Sequence, residues 1–221
     1  MFRSRRPKRC KAPRVAAAPF RCRLFILAKM PVAGRVKTRL AREIGVAAAT
    51  GFARHAIANT VARVACHASW QTALTVGPDV GVVAPVWPRG VQVTVQGPGD
   101  LGARMQRILD QSAPGPVLII GTDIPGLRAT HIRRAFHLLG GHDAVVGPAT
   151  DGGYWLIGAR RRPRVSRMFA QVRWSSRHAL ADTLKNLSVG SVARVATLAD
   201  VDSAEDMAAN RRAIGRRILP L

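Results

Sequence analysis

Acidic residues are scarce in this chain. Twelve Asp and Glu face 35 Lys and Arg among 221 residues, a formal net charge of +23. Such an imbalance points to anionic partners, whether nucleotides, nucleic acid or an acidic surface, and says little about fold. Cysteine is also sparse. Cys10, Cys22 and Cys66 lie far apart without a C-x-x-C pair, a pattern that fits a reducing cytoplasm and no structural zinc. No segment approaches the roughly 18 uninterrupted apolar residues of a membrane span, so no spanning helix is expected. The six His lack ligand spacing, and no Ser-His-Asp or Cys-His set is apparent. Neither G-x-x-x-x-G-K-[ST] nor G-x-G-x-x-G occurs. One Tyr and six Phe offer little for stacking on bases, and no helix-turn-helix, RNP or zinc signature appears. A basic nucleic-acid-binding protein is therefore the rival from another class, and nucleic acid is not the expected partner.

The basic excess is uneven. Residues 1–23 hold nine basic side chains and no acid, with three prolines and no strand or helix period. Residues 1–22 are expected to be a basic disordered extension. The segment SRRPKR resembles a twin-arginine signal, but the apolar run behind it is short and broken by Pro19 and Arg21, so a solvated tail is the better reading. Residues 23–221 form the expected folded domain.

From residue 23 onward, strand-length and helix-length patterns alternate. Strands are predicted at 23–28, 72–76, 91–95, 116–121, 143–147, 154–158 and 192–196, and helices at 45–68, 100–112, 129–139, 176–187 and 203–214. PVLIIG at 116–121 is a continuous apolar run, as in a central strand buried on both faces. The alternation predicts an α/β fold, a single Rossmann-like domain with a mostly parallel sheet and helices on both faces. Ligands of such sheets sit at the carboxyl ends of the strands, and that rule selects the residues to inspect.

The first strand runs into AKMPVAGRVKTRL. Lys29, Arg35, Lys37 and Arg39 supply charge, Thr38 a hydroxyl, and Gly34 a close backbone approach, so this is a phosphate loop or a solvated basic loop. After 91–95 comes QGPGDLGARM. There Gln96 could read a base edge beside Gly97 and Gly99, or the segment could be an ordinary strand-to-helix turn with Asp100 as N-cap. Asp123 follows the buried strand 116–121. A carboxylate there needs a cationic partner, such as Mg²⁺ bridging phosphates, unless it only caps a turn. Asp151 lies in a Gly-rich turn with Gly152 and Gly153 and could meet sugar hydroxyls. Residues 198–207 concentrate Asp200, Asp202, Glu205 and Asp206. A capping box between Ser203 and Asp206 explains the last two and leaves Asp200 and Asp202 for a metal.

In order, FILAKMPVAGRVKTRL, GDLGARM, VLIIGTDIPGL, DGGYWLIG, VRWSS and DVDSAEDM resemble a bacterial family of GT-A-type glycosyltransferases. That family lies within the nucleotide-diphospho-sugar transferase superfamily, and some of its members are named arsenosugar-biosynthesis glycosyltransferases. The resemblance covers about residues 23–214. It implies a GT-A domain that binds a nucleotide or NDP-sugar with Mg²⁺ or Mn²⁺ and passes a group to a small-molecule acceptor. It also implies phosphate contacts from Lys29, Gly34, Arg35, Lys37, Thr38 and Arg39, and a base and ribose pocket lined by Gln96, Gly99, Asp100 and Gly102. Asp123 and Asp202 would be the metal ligands. Asp151, Gly152 and Gly153 would face sugar or acceptor, and Asp123, Lys37 and Asp151 would be the catalytic set. Two departures are visible: Ala33 where the family often has Pro, and a lone Asp123 followed by Ile124 and Pro125 instead of D-x-D. The second favours the superfamily's other activity, transfer of NMP from an NTP to a phosphorylated small molecule.

Overall fold

Seven strand-length apolar segments assemble into one sheet in the computed structural model, which describes residues 20–161, 165–187 and 190–214. The strands are β1 (Cys22–Lys29), β2 (Trp70–Gly77), β3 (Gln92–Val95), β4 (Gly115–Ile120), β5 (Ala144–Pro148), β6 (Tyr154–Arg161) and β7 (Val192–Arg194). Their order is β3-β2-β1-β4-β6-β5-β7. β6 runs antiparallel to both neighbours and every other pairing is parallel, so the sheet is mixed but mainly parallel, as expected. Residues 1–19 of the expected basic extension lie outside the described residues.

Alternation along the central strands divides the core. Leu118 and Ile120 of β4 join Leu24 and Ile26 of β1 beneath α2 (Val46–Val64) and α4 (Ala129–Leu138). Val117 and Ile119 face the other way, toward Met105, Ile108 and Leu109 of α3 (Leu101–Gln111) and the flank of α5 (Ala179–Asn186). Burying each such aliphatic side chain contributes roughly 1.5–3 kcal/mol relative to exposure, which is why β4 needs apolar residues at successive positions.

A third, smaller cluster matters most for the site. The sequence predicts one long helix from residue 45 and allows a short helix after the first basic loop; both are present, α1 (Thr38–Ile44) being divided from α2 by Gly45 at φ 87°. The helix predicted over 203–214 is likewise two pieces, α6 (Ala204–Ala209) and α7 (Arg211–Ile214), interrupted at Asn210. Leu40 of α1 packs with Phe52 of α2, Val201, Met207 of α6 and Ile214. This contact pulls the loop after β1 onto the segment before α6, across 160 residues of sequence. Lys37 and Asp202 meet because of it.

Candidate active site

The parallel strands all end along one edge of the sheet. Because β6 is antiparallel, its start lies on that same edge, and so does the turn joining it to β5. The loops at 30–37, 96–100, 121–128, 149–153 and 195–203 are therefore neighbours there.

Lys37 is the hub. It stands at the N-cap of α1 with a left-handed backbone, φ 47° and ψ 46°. Its side chain is only 7% exposed. Nζ donates to Asp202 Oδ1 at 2.8 Å and to the Val201 carbonyl at 2.6 Å, and it pairs with Asp123 Oδ2 at 2.8 Å. Three acceptors match the three N–H bonds of an ammonium. Burial opposes the charge, but the carboxylates of Asp123 and Asp202 outweigh it and hold the Lys37 pKa above the ordinary lysine value. The backbone reinforces the junction, with Val201 N–H donating to the Asp123 carbonyl at 3.1 Å.

Both carboxylates keep one oxygen outside the lysine contact. Asp123 Oδ1 accepts from Thr122 Oγ1 at 3.3 Å, and Asp202 Oδ2 lies 4.0 Å from Arg39 Nη1. Each side chain is nearly half exposed. Two half-exposed carboxylates, with the Val201 carbonyl beside them, are the hard oxygen donors Mg²⁺ or Mn²⁺ takes when phosphate and water complete its shell. The donor set fits such an ion. Among the described residues there is no cluster of three or more His, Cys, Asp or Glu side chains arranged as a metal cage.

Beside this junction opens a cleft of about 730 Å³, lined among others by Arg39, Arg42, Thr150, Asp151, Asp200 and Asp202. Burial pushes the Asp200 carboxyl above its usual range, and the nearby Asp151 charge adds to the effect. Asp206 moves the other way: despite its burial, the amides of Asp202 and Ser203 and the Ser203 hydroxyl hold it low. The expected capping box of Ser203 and Asp206 is present and begins α6. Asp151 closes its own turn, Oδ1 accepting from Gly153 N–H at 2.8 Å, and remains exposed on the cleft wall. Gly152 has φ 87°, and a Cβ there would run into the Arg177 backbone, which ties the turn to the segment before α5.

The sequence-predicted residues thus separate into groups. Lys29, Gly34, Arg35, Thr38 and Arg39 are exposed around the loop after β1, available to an anion. Lys37 is not free in that way, since its ammonium is spent on Asp123 and Asp202. The base-pocket expectation needs more correction. Gln96 is buried, its Nε2 donates to the carbonyls of Ala28 (3.0 Å) and Thr75 (2.9 Å), and its Oε1 accepts from Arg104. A side-chain amide so occupied ties β1, β2 and β3 together and cannot read a base. Asp100 serves as the N-cap of α3, accepting from Ala103 N–H at 2.8 Å. Gly102 is buried, and a Cβ there would come within 2.8 Å of the Trp174 ring and 2.9 Å of Phe169 Cβ, so its small size serves packing. Gly99, exposed at φ 98°, is the one member of that group left on the surface of the turn besides the exposed Asp100.

Sequence reasoning passed over Arg104 and Arg107. Arg104 Nε donates to the Gly99 carbonyl, and Arg107 donates to the carbonyls of Gln96 and Pro98, both at 2.8 Å. Their i, i+3 spacing on α3 was the available signal. Arg42 of the cleft was also missed, whereas Asp200, left with Asp202 for a metal in the sequence, lies on the cleft wall.

With this geometry in view, the relatives become informative. The model of the family described as "Uncharacterized protein conserved in bacteria (DUF2064)" matches residues 60–176. The chain belongs to this family. For this DUF2064 member, a similar solved structure is that of a candidate nucleotide-diphospho-sugar transferase from Desulfovibrio desulfuricans G20. It is 26% identical with a TM-score of 0.77, over 89% of this chain and 88% of its own. These likenesses put the DUF2064 member in the nucleotide-diphospho-sugar transferase superfamily with its GT-A-like fold. More distant structures share the fold alone. A nucleotidyl transferase from Methanothermobacter is 15% identical with a TM-score of 0.59, over 88% of this chain and 97% of its own. The 4-diphosphocytidyl-2C-methyl-D-erythritol synthase of Anaerococcus prevotii DSM 20548 is 10% identical with a TM-score of 0.54, over 86% and 95%. No curated protein matches the chain in sequence.

Proposed function

We propose that this protein is a transferase that uses an activated nucleotide with a divalent metal, most directly moving a glycosyl group from an NDP-sugar to a small-molecule acceptor. The observation that carries the reading is the meeting of Asp123 and Asp202 around Lys37 at the carboxyl edge of the sheet, beside an open cleft. The 26% identical structure from Desulfovibrio supports the substrate class.

Residues 23–221 act as one catalytic domain in this reading. The exposed Lys29, Arg35, Thr38 and Arg39 hold the phosphates, with Gly34 allowing backbone approach. Asp123 and Asp202 would hold Mg²⁺ or Mn²⁺, which would supply neutralisation of charge at the leaving group. Asp151, with Oδ1 fixed by the Gly153 amide, offers Oδ2 to take the proton of an acceptor hydroxyl, while Gly152 and Gly153 shape the turn that faces it. Among the described residues no helix is long and apolar enough to cross a membrane.

Transfer of a nucleotidyl group is the second reading, favoured by the lone Asp123 before Ile124 and Pro125. Thermal-shift screening of NTPs and NDP-sugars with Mg²⁺ or Mn²⁺, followed by product analysis, separates the two: pyrophosphate release marks nucleotidyl transfer, NDP release glycosyl transfer. Asp123→Ala should weaken metal-dependent nucleotide binding at least 100-fold by calorimetry. Unchanged affinity would remove Asp123 from the site. Salt-sensitive RNA or DNA binding that survives this substitution, with no nucleotide response, would favour the nucleic-acid alternative.

A further inference from the structure

The Lys37 ammonium sits where three oxygen donors converge, all from the residues whose carboxylates and carbonyl were matched above to a metal. Asp123 Oδ2, Asp202 Oδ1 and the Val201 carbonyl all lie within 2.6–2.8 Å of Nζ. A monovalent cation on a flexible stem and a divalent ion cannot share these oxygens at such distances. Two positive centres packed into one nest would repel strongly in so enclosed a place. We propose that Lys37 is an internal plug of the metal site, competing with the divalent ion for Asp123 and Asp202 and leaving the nest when the ion is bound.

Three observations carry this. The side chain reaches the nest from the end of the loop after β1, and it is 7% exposed, so the ammonium is held there and does not sample solvent. The opposing carboxylates are nearly half exposed, which leaves them open to an ion arriving from the cleft. The exposed Arg35 precedes Lys37 by two residues in the loop and the exposed Arg39 follows it by two in α1, so phosphate held by these arginines would lie close to a departing ammonium. An ammonium leaving a buried ion pair needs a new anion, since an unpaired charge in a poorly hydrated position is costly. Phosphate is the available one. Metal and nucleotide would then favour each other's binding, because each relieves what the other displaces, and linkage makes that coupling reciprocal. Binding of the metal alone should be weak.

This inference rests on the metal assignment of the preceding section, and its test separates the two. Mn²⁺ alone is titrated into the full-length protein and into Lys37→Met, with bound metal read from loss of the free-ion electron paramagnetic resonance signal and folding checked by circular dichroism. At least tenfold tighter Mn²⁺ binding by Lys37→Met is expected. Equal affinity in the two proteins overturns the plug and leaves the metal assignment standing; no binding by either overturns both. A measurement on the unaltered protein removes dependence on that variant. Reductive methylation followed by mass spectrometry should label exposed Lys29 readily and Lys37 slowly, and saturating Mn²⁺ should raise Lys37 labelling several-fold while Lys29 stays constant. Lys37 labelling unchanged at saturating Mn²⁺ would also overturn the plug.

Discussion

Two loops leave strands β1 and β3, which flank β2, at the same edge of the sheet, and they treat their polar side chains in opposite ways. The loop after β1 and the residues that flank it turn Lys29, Arg35 and Arg39 outward, with Lys37 drawn inside. The loop after β3 turns Gln96 inward and is gripped from behind by Arg104 and Arg107, which satisfy its carbonyls. One loop keeps charge ready for a ligand, whereas the other uses polar groups to hold its own shape. Both read as ligand-binding loops in sequence, since both follow a strand and contain glycine and polar residues. What differs is where the side chains find partners.

Substitutions should separate the loops by what they damage. The largest effect belongs to Gln96→Ala, which removes two buried hydrogen bonds to the Ala28 and Thr75 carbonyls and should cost about 1–3 kcal/mol in chemical denaturation. A cost under about 0.5 kcal/mol would mean Gln96 is free for another task. Arg107→Ala comes next. Loss of two charge-assisted bonds to loop carbonyls should cost about 1–2 kcal/mol and speed hydrogen exchange at Gly97 and Gly99. If exchange in this turn stays as slow as in the unaltered protein, the arginine is not its clamp. Smallest in stability is Arg35→Ala, exposed on the other loop, which should change the unfolding free energy by no more than about 0.5 kcal/mol. Its effect should appear in nucleotide binding, several-fold weaker and less salt-dependent. A stability loss equal to that of Gln96→Ala would erase the distinction between the loops.

The sequence reading carried the strands further than the site. β4 and β1 are legible because a run of apolar residues of strand length has few other fates, and TALTV in β2 is rich in strand-favouring residues. The direction of β6 was not legible: YWLIG buries the same residues whichever way it runs. The division of α1 from α2 depends on Gly45, whose positive φ becomes meaningful only once Leu40 has a core to join. Site residues followed the same logic. Asp123 stood out because a carboxylate after a buried strand must be answered by something. Its answer, Lys37, together with Asp202, comes from a contact spanning more than 160 residues, and no local period reports it. Gln96 misled for a related reason, since a polar residue in a glycine-rich turn gives no sign of facing inward until three strand ends surround it.

The antiparallel course of β6 carries one more consequence. It makes residues 149–153 a simple hairpin connection, pinned at its base by β5 and β6 and at its side by the backbone near Arg177. A hairpin tip can be lengthened or rewritten without repositioning the strands that bear it. Here the tip overhangs the cleft, while Lys37, Asp123 and Asp202 are fixed from elsewhere. On the proposed function the molecule is thus divisible: one part of its edge could be exchanged to meet a new acceptor, leaving untouched the part that would handle charge.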